Sequence, residues 1–433
     1  MNLAEPLPRR LFTATNIFLA FLCAMYFITY VDRVNTATAA TDIKVELGLS
    51  NTQLGYAFGA FGYAYALFQI VGGWIGDRLG PRLTLSICGF VWAAATILTG
   101  FVNGFVSLLL VRFVLGLGEG ATFPTATRAM SNWLTKSKRA FAQGITHSFA
   151  RAAIAITPLV VAWLIVNWGW RSSFIVVGLV SLLWVLSWAW YFRDDPREHK
   201  GMTKFELAEL PAYRDGRAVD AEPVPWGRLL ARMMPTTIVY FCYAWTLWLY
   251  LTWIPSFFRV GYNLEITKTA LFTFGVTAFG AVGDTVGGII SDWLLRKTGS
   301  LAIARRNVIV VSLLTSLCFL LPVLLLKDLT IITVALGCAF FCLELTIGPI
   351  WSVPMDIAPG FSGTASGIMN TGSAIAGFVS PIVFGWLVDL TGDWHVPFWG
   401  SIGLLLAGAV LAFWMHPERA LAGTHTEAIS EGA

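Results

Sequence analysis

The chain is 433 residues long, 56% hydrophobic and only 12% charged, with a mean hydropathy of +0.69. In an ordinary soluble domain about a quarter of the residues are charged, so this composition excludes one and defines an all-α polytopic membrane protein whose first partner is the lipid bilayer. The net charge of +4 says little, because what matters is where the 29 basic residues fall, and no nucleic-acid partner is expected.

In chain order, Met1 to Arg10 is polar, and the first apolar run is long enough to remain as a span rather than a removed leader. Runs able to cross a hydrocarbon core of about 30 Å are predicted at 15–38, 52–75, 83–103, 106–130, 141–165, 173–192, 234–258, 269–291, 307–326, 330–353, 364–388 and 397–415. These are twelve transmembrane helices in two six-helix halves, 1–192 and 234–433, joined by a linker at 193–233. Basic residues concentrate at one side: Arg9, Arg10, Arg78, Arg82, Lys136, Lys138, Arg139, the linker, Arg296, Lys297, Arg305, Arg306 and Arg419. The opposite loops hold Lys44, Arg171, Arg259, Lys268 and Lys327. The positive-inside rule then places both termini and the linker in the cytoplasm.

Six cysteines, Cys23, Cys88, Cys242, Cys318, Cys338 and Cys342, lie inside apolar runs. Neither a disulfide framework nor a metal site is expected from them. Gly116-Leu-Gly118-Glu-Gly120 lies within a span with no strand before it, which makes it a packing motif rather than a nucleotide loop. No ATP-binding fingerprint and no nucleophile–base constellation is present, so no cofactor and no enzymatic activity are expected.

Gly72-Gly73-Trp-Ile-Gly-Asp77 after the second span recurs as Gly287-Gly288-Ile-Ile-Ser-Asp292 after the eighth, an internal duplication. With the twelve spans, the loop Gly73-Trp-Ile-Gly-Asp77-Arg78-Leu-Gly-Pro-Arg82 resembles the signature of the major facilitator superfamily over nearly the whole chain. Gly73, Asp77 and Arg78 are accordingly expected to act in conformational gating. A narrower resemblance lies in Tyr30-Val-Asp32-Arg33-Val-Asn35, Phe61-Gly-Tyr-Ala-Tyr65 with Gln69, and Arg112 to Glu119 with Phe123-Pro124. These are similar to the anion:cation symporter branch, which includes carriers of galactonate, glucarate and hexuronates. The resemblance implies proton-binding carboxylates at Asp32 and Glu119, cationic or substrate contacts at Arg33 and Arg112, and cavity contacts at Tyr30 and Tyr65.

The buried charge points to a similar place. Ionisable residues within spans are Asp32, Arg33, Arg112, Glu119, Arg128, His147, Arg151, Asp284 and Glu344, while the third, sixth, ninth and twelfth spans have none. Each charged group costs about 2.5–3.5 kcal/mol at mid-membrane on insertion scales, so such residues face water or one another. Arg112 and Glu119 share a helix face but lie about 10.5 Å apart along the axis, so each is expected to find a different partner, and helix one is the expected source. Asp32 and Arg33 point about 100° apart, one toward the cavity and the other across to the fourth span. Burial favours a neutral carboxylic acid and a neighbouring guanidinium favours the carboxylate; opposed in this way, they suit a group that exchanges protons. Arg128 is expected to snorkel to the headgroups.

His147 and Arg151 lie one turn apart on the fifth span and are further substrate-binding candidates; Arg151 is expected either to meet the substrate or to pair with Asp284 or Glu344. Asn370, in a run of small residues, is a candidate for a substrate hydroxyl, and Gln69, Tyr243, Asp284 and Glu344 are weaker cavity candidates. The expected activity is uptake of a small organic anion together with protons. The sequence leaves open proton-free exchange, an aromatic or dicarboxylic substrate, and a sensor role. A monomer in the inner membrane is expected.

Overall fold

The computed structural model describes residues 13–210 and 223–421. Arg9, Arg10 and part of the linker lie outside the described residues. Among them, eleven helical segments are long and apolar enough to cross a membrane, and one of these, Lys136–Tyr191, is long enough to do so twice. It is broken at Gly169, whose φ of +80° a side chain would resist, and the break separates the fifth span from the sixth. The twelve expected spans are therefore present. The seventh helix, Trp226–Ser256, begins inside what the hydropathy pattern assigns to the linker, so the linker is shorter than 193–233.

Neither the fourth nor the tenth span is a continuous helix. The fourth consists of Phe105–Gly120 and Thr122–Trp133, and the tenth of Leu329–Glu344 and Ile347–Ile357. Pro124 and Pro349 explain both breaks: proline has no N–H for the carbonyl four residues back, here that of Gly120 or Leu345. Each glutamate, Glu119 or Glu344, thus stands five residues before a proline and at the end of a half-helix.

Large apolar side chains such as Trp163, Val166, Leu183 and Trp190 lie exposed around the bundle, as a lipid-facing belt requires. Helix crossings inside use glycine. A Cβ on Gly72 or Gly287 would strike Ala121 or Leu345 in its own half, whereas one on Gly73 or Gly288 would strike Gly363 or Ala140 of the other half. The duplicated Gly-Gly pairs therefore do the same two jobs in both copies.

The halves meet at the linker end. Gly55, Gly59 and Gly62 share the second-span face that carries Gly73, yet a Cβ on any of them would meet nothing within 4 Å. Among the described residues, hydrogen bonds between the halves extend from Gln69–Asn370 and Arg151–Glu344 down to the linker end, and none joins the halves at the far end. The result is a cleft closed at the linker end.

Candidate functional site

The first cluster lies within the N-terminal half. Arg33 projects from the first span, Ala14–Thr38, and donates through Nε to Glu119 Oε2 at 2.8 Å. Its guanidinium carbon lies 4.6 Å from the Tyr65 ring centre, 4.9 Å from Tyr30, and 5.4 Å from both Phe61 and Phe123. The Arg33 side chain keeps 19% exposure while Glu119 has none, so the arginine is the member of the pair that the cleft can reach. Arg112 donates to Thr36 Oγ1 at 2.9 Å and sits 4.8 Å from the Phe61 ring. Arg112 and Glu119 thus take different partners, both on the first span, as their separation along the helix requires.

Asp32 departs from expectation. It faces neither the cleft nor the fourth span, but accepts from Thr96 Oγ1 at 3.1 Å and Ser181 Oγ at 3.5 Å, on the third and sixth spans. Arg33 both faces the cleft and reaches the fourth span. The outer spans hold no charge, yet they supply the hydroxyls that hold one.

The second cluster joins the halves. Arg151 donates through Nη2 to both Glu344 oxygens, at 3.2 and 3.1 Å, and its Nε lies 3.8 Å from Asp284 Oδ2. Tyr243 donates to Glu344 Oε2 at 2.7 Å. Arg151 therefore pairs here with the carboxylates of the other half. Gly280 and Gly283, which precede Asp284, let the eighth span approach Phe340 and Phe341 of the tenth.

Between the clusters runs a line of rings. Tyr30 and Tyr65 lie 6.3 and 6.5 Å from Phe123, Phe123 6.3 Å from His147, and His147 5.3 Å from Trp351. Trp351 donates to the Tyr240 hydroxyl at 2.9 Å, and Tyr240 stacks on Tyr243 at 5.5 Å. His147 is wedged in this line with Nδ1 2.8 Å from the Gln143 carbonyl oxygen. Asn370 donates to Gln69 Oε1 at 2.9 Å across the halves.

At the linker end, Asp77 accepts from the Gly363 amide at 2.9 Å and from the amide and hydroxyl of Thr364, both at 2.6 Å. Arg128 does not snorkel: it is 2% exposed, 3.7 Å from Asp77, and donates to the Pro359 carbonyl at 2.6 Å. Asp292 mirrors Asp77 by accepting from the amides of Ala140 and Phe141 at 3.3 and 2.8 Å. Arg305 bridges Asp292 and Asp356, and Asp356 also takes Arg139 from the other half. Gly73, Asp77 and Arg78 lie in the last turns of the second-span helix, Asn51–Leu79, and not in a loop; Gly73 and Asp77 touch the opposite half, whereas Arg78 stacks on Trp74 of its own helix.

A family model described as Major Facilitator Superfamily matches residues 22–381. The chain belongs to the major facilitator superfamily. A probable sulfoacetate transporter of Cupriavidus necator is 46% identical over 93% of this chain and 94% of its own length. A D-galactonate transporter of Escherichia coli is 33% identical over 90% and 91%, and a hexuronate transporter of Bacillus subtilis is 30% identical over 91% of each. Among solved structures, a proton:xylose symporter bound to 6-bromo-6-deoxy-D-glucose matches with a TM-score of 0.72 at 14% identity, over 92% of this chain and 95% of that one. The human organic anion transporter TETRAN matches at 0.69 and 17%, over 94% and 100%. At such identities these two show the fold alone. The protein is a multi-pass membrane transporter and not an enzyme.

Major facilitator membership gives the paired repeats their meaning, and the structure adds residues that the pattern of charges does not single out. Arg139, Arg305 and Arg306 group in sequence as charges on one side, yet Arg139 and Arg305 are buried between the halves. Asp292 stood in the repeat beside Asp77 and could have been carried over as its counterpart. The shared spacing of Glu119 to Pro124 and Glu344 to Pro349 would have marked the two glutamates as equivalent. Tyr240 and Trp351 carry no sequence signal, because an aromatic within a span looks the same facing a cleft or lipid.

Proposed function

We propose that this chain is a proton-coupled symporter that imports a small organic anion across the cytoplasmic membrane by alternating access, with its linker end in the cytoplasm. The observation that carries the reading is Arg33: a half-buried guanidinium in a cage of rings, held by the buried carboxylate of Glu119. A proton on Glu119 cancels that ion pair and leaves Arg33 with spare donors toward the cleft, so proton and anion binding reinforce each other. Arg112, on the other flank of Phe61, provides a second positive charge in the same cluster.

Two guanidiniums suit a substrate with two anionic groups. The relative at 46% identity is named for sulfoacetate, a short sulfonate-carboxylate, whereas those named for sugar acids stand near 30%. Sulfoacetate is therefore the first candidate and sugar acids the second. Bringing each negative charge into a negative cell costs about 2.3 kcal/mol per 100 mV, and protons carried with the anion offset that cost.

Purified protein in liposomes under an imposed pH gradient tests the reading. Acid outside should drive concentrative sulfoacetate uptake, and Glu119→Gln should abolish the gradient dependence while counterflow survives. Uptake indifferent to the gradient in the wild type would indicate exchange instead. Gradient-driven uptake that persists in Glu119→Gln would remove Glu119 from the mechanism.

A further inference from the structure

The second cluster carries more negative than positive groups. Arg151 on the fifth span faces Glu344 on the tenth and Asp284 on the eighth, with Tyr243 of the seventh donating a neutral hydroxyl, and all four are buried. Glu344 receives two hydrogen bonds from Arg151 and one from Tyr243, whose hydroxyl also accepts from Arg151 at 3.5 Å. Asp284 receives none; both of its oxygens are fully buried without a hydrogen-bond partner, and the 3.8 Å to Arg151 Nε is too long for one. A carboxylate anion cannot stay in such a place without a penalty of several kcal/mol, because burial strips its water, no hydrogen bond replaces it, and the one cation nearby, Arg151, is already bonded to Glu344. A neutral acid can. With a proton on Asp284, the remaining charges of Glu344 and Arg151 cancel.

We propose that Asp284 is a proton-binding carboxylate of the C-terminal half, protonated in this conformation, and that it carries a second proton in each transport cycle. Its position supplies the exit. A Cβ on Gly144 would overlap the Asp284 carbonyl, and Ser148 donates to the Ala281 carbonyl one turn away and shares a 2.6 Å hydrogen bond with Thr285. Asp284 therefore lies in the seam between the fifth and eighth spans, the same seam that Asp292 closes at the linker end. When the halves part there, the acid meets water and its proton leaves to the linker side, and the water that enters solvates the carboxylate left behind. Proton binding at Glu119 and at Asp284 would thus sit one in each half. The consequence for stoichiometry rests on the proton-coupled reading above; the protonation of Asp284 does not.

Infrared spectroscopy on the full chain without substrate, using aspartate labelled with ¹³C at the side-chain carboxyl, tests the protonation directly. The expected result is a label-shifted carboxylic-acid C=O band at neutral pH that is lost in Asp284→Asn and retained in Asp32→Asn. No such band in the labelled wild type, or one that disappears in Asp32→Asn, overturns the proposal even if Asp284→Asn fails to fold. In liposomes, Asp284→Asn should lower the proton-to-sulfoacetate ratio by one, and an unchanged ratio overturns the second-proton role. Failure of the coupling reading shows separately, as wild-type uptake that ignores the pH gradient while the infrared band is present.

Discussion

Asp77 and Asp292 each cap the start of a helix in the opposite half. Asp77, near the end of the second span, takes the first amides of the eleventh, and Asp292, near the end of the eighth, takes those of the fifth. The amides at a helix start have no partner within the helix, so a carboxylate from outside satisfies them and complements the dipole. Each cap is thereby a bond between halves that exists only while the linker end is closed.

Asp77→Asn should therefore loosen that end. An amide keeps one acceptor but brings an NH₂ group against two N–H donors, and loss of a helix cap costs about 1 kcal/mol. Hydrogen exchange at Gly363 and Thr364 should rise about fivefold, and Asp292→Asn should do the same at Ala140 and Phe141. Unchanged protection at these amides would mean that glycine packing alone holds the end shut.

Glycine packing has its own test. Gly73→Ala places a methyl group against the Gly363 carbonyl and so forces the second and eleventh spans apart, whereas Gly62→Ala on the same face meets nothing. Gly73→Ala should shift the protein toward a state open at the linker end, read as faster exchange over residues 362–366 and slower uptake, while Gly62→Ala behaves as wild type. Equal behaviour of the two variants would contradict the close approach at Gly73.

Much of this was legible before the structure. A lipid-crossing helix needs about 20 apolar residues, so the twelve spans stand out, and the Gly-Gly and Asp positions of the duplication were preserved well enough to read. What a one-dimensional pattern lacks is direction across space. Asp32 and Arg33 are adjacent, yet one turns out to the third and sixth spans and the other in to Glu119. Arg128 and Arg139 read as membrane-edge charges because their partners, Asp77 and Asp356, come from distant segments. The breaks at Ala121 and near Leu345 were readable in principle from Pro124 and Pro349, but hydropathy averages over them.

The cage around Arg33 predicts that lysine is no substitute. The Arg33 guanidinium carbon sits 4.6 and 4.9 Å from the Tyr65 and Tyr30 ring centres while Nε donates to Glu119, and a compact ammonium cannot keep all these contacts. Arg33→Lys should lose about 1–2 kcal/mol of the stacking, or roughly 5- to 30-fold in anion affinity, measured as the KM for sulfoacetate. Tyr65→Phe keeps the ring and should change it far less. If Arg33→Lys left KM unaltered, charge alone would account for the site.

Arg151 and Glu344 tie the halves near the closed end of the cleft, and the cost of breaking the tie depends on which partner goes. Arg151→Met leaves two buried acids without a cation, which by analogy with other buried pairs should destabilise the protein by about 3–5 kcal/mol. Glu344→Gln leaves Arg151 beside Asp284, which can give up its proton and supply the missing negative charge, so that loss should be smaller. In the double variant no cation and no obligatory anion remain, because Asp284 stays neutral. Its destabilisation should fall well short of the sum of the single variants, with a coupling above about 1 kcal/mol. Thermal unfolding in detergent at fixed pH measures all four corners of this cycle. Additive losses would mean that the two side chains act independently, and the contact between Arg151 and Glu344 would then not contribute to holding the halves together.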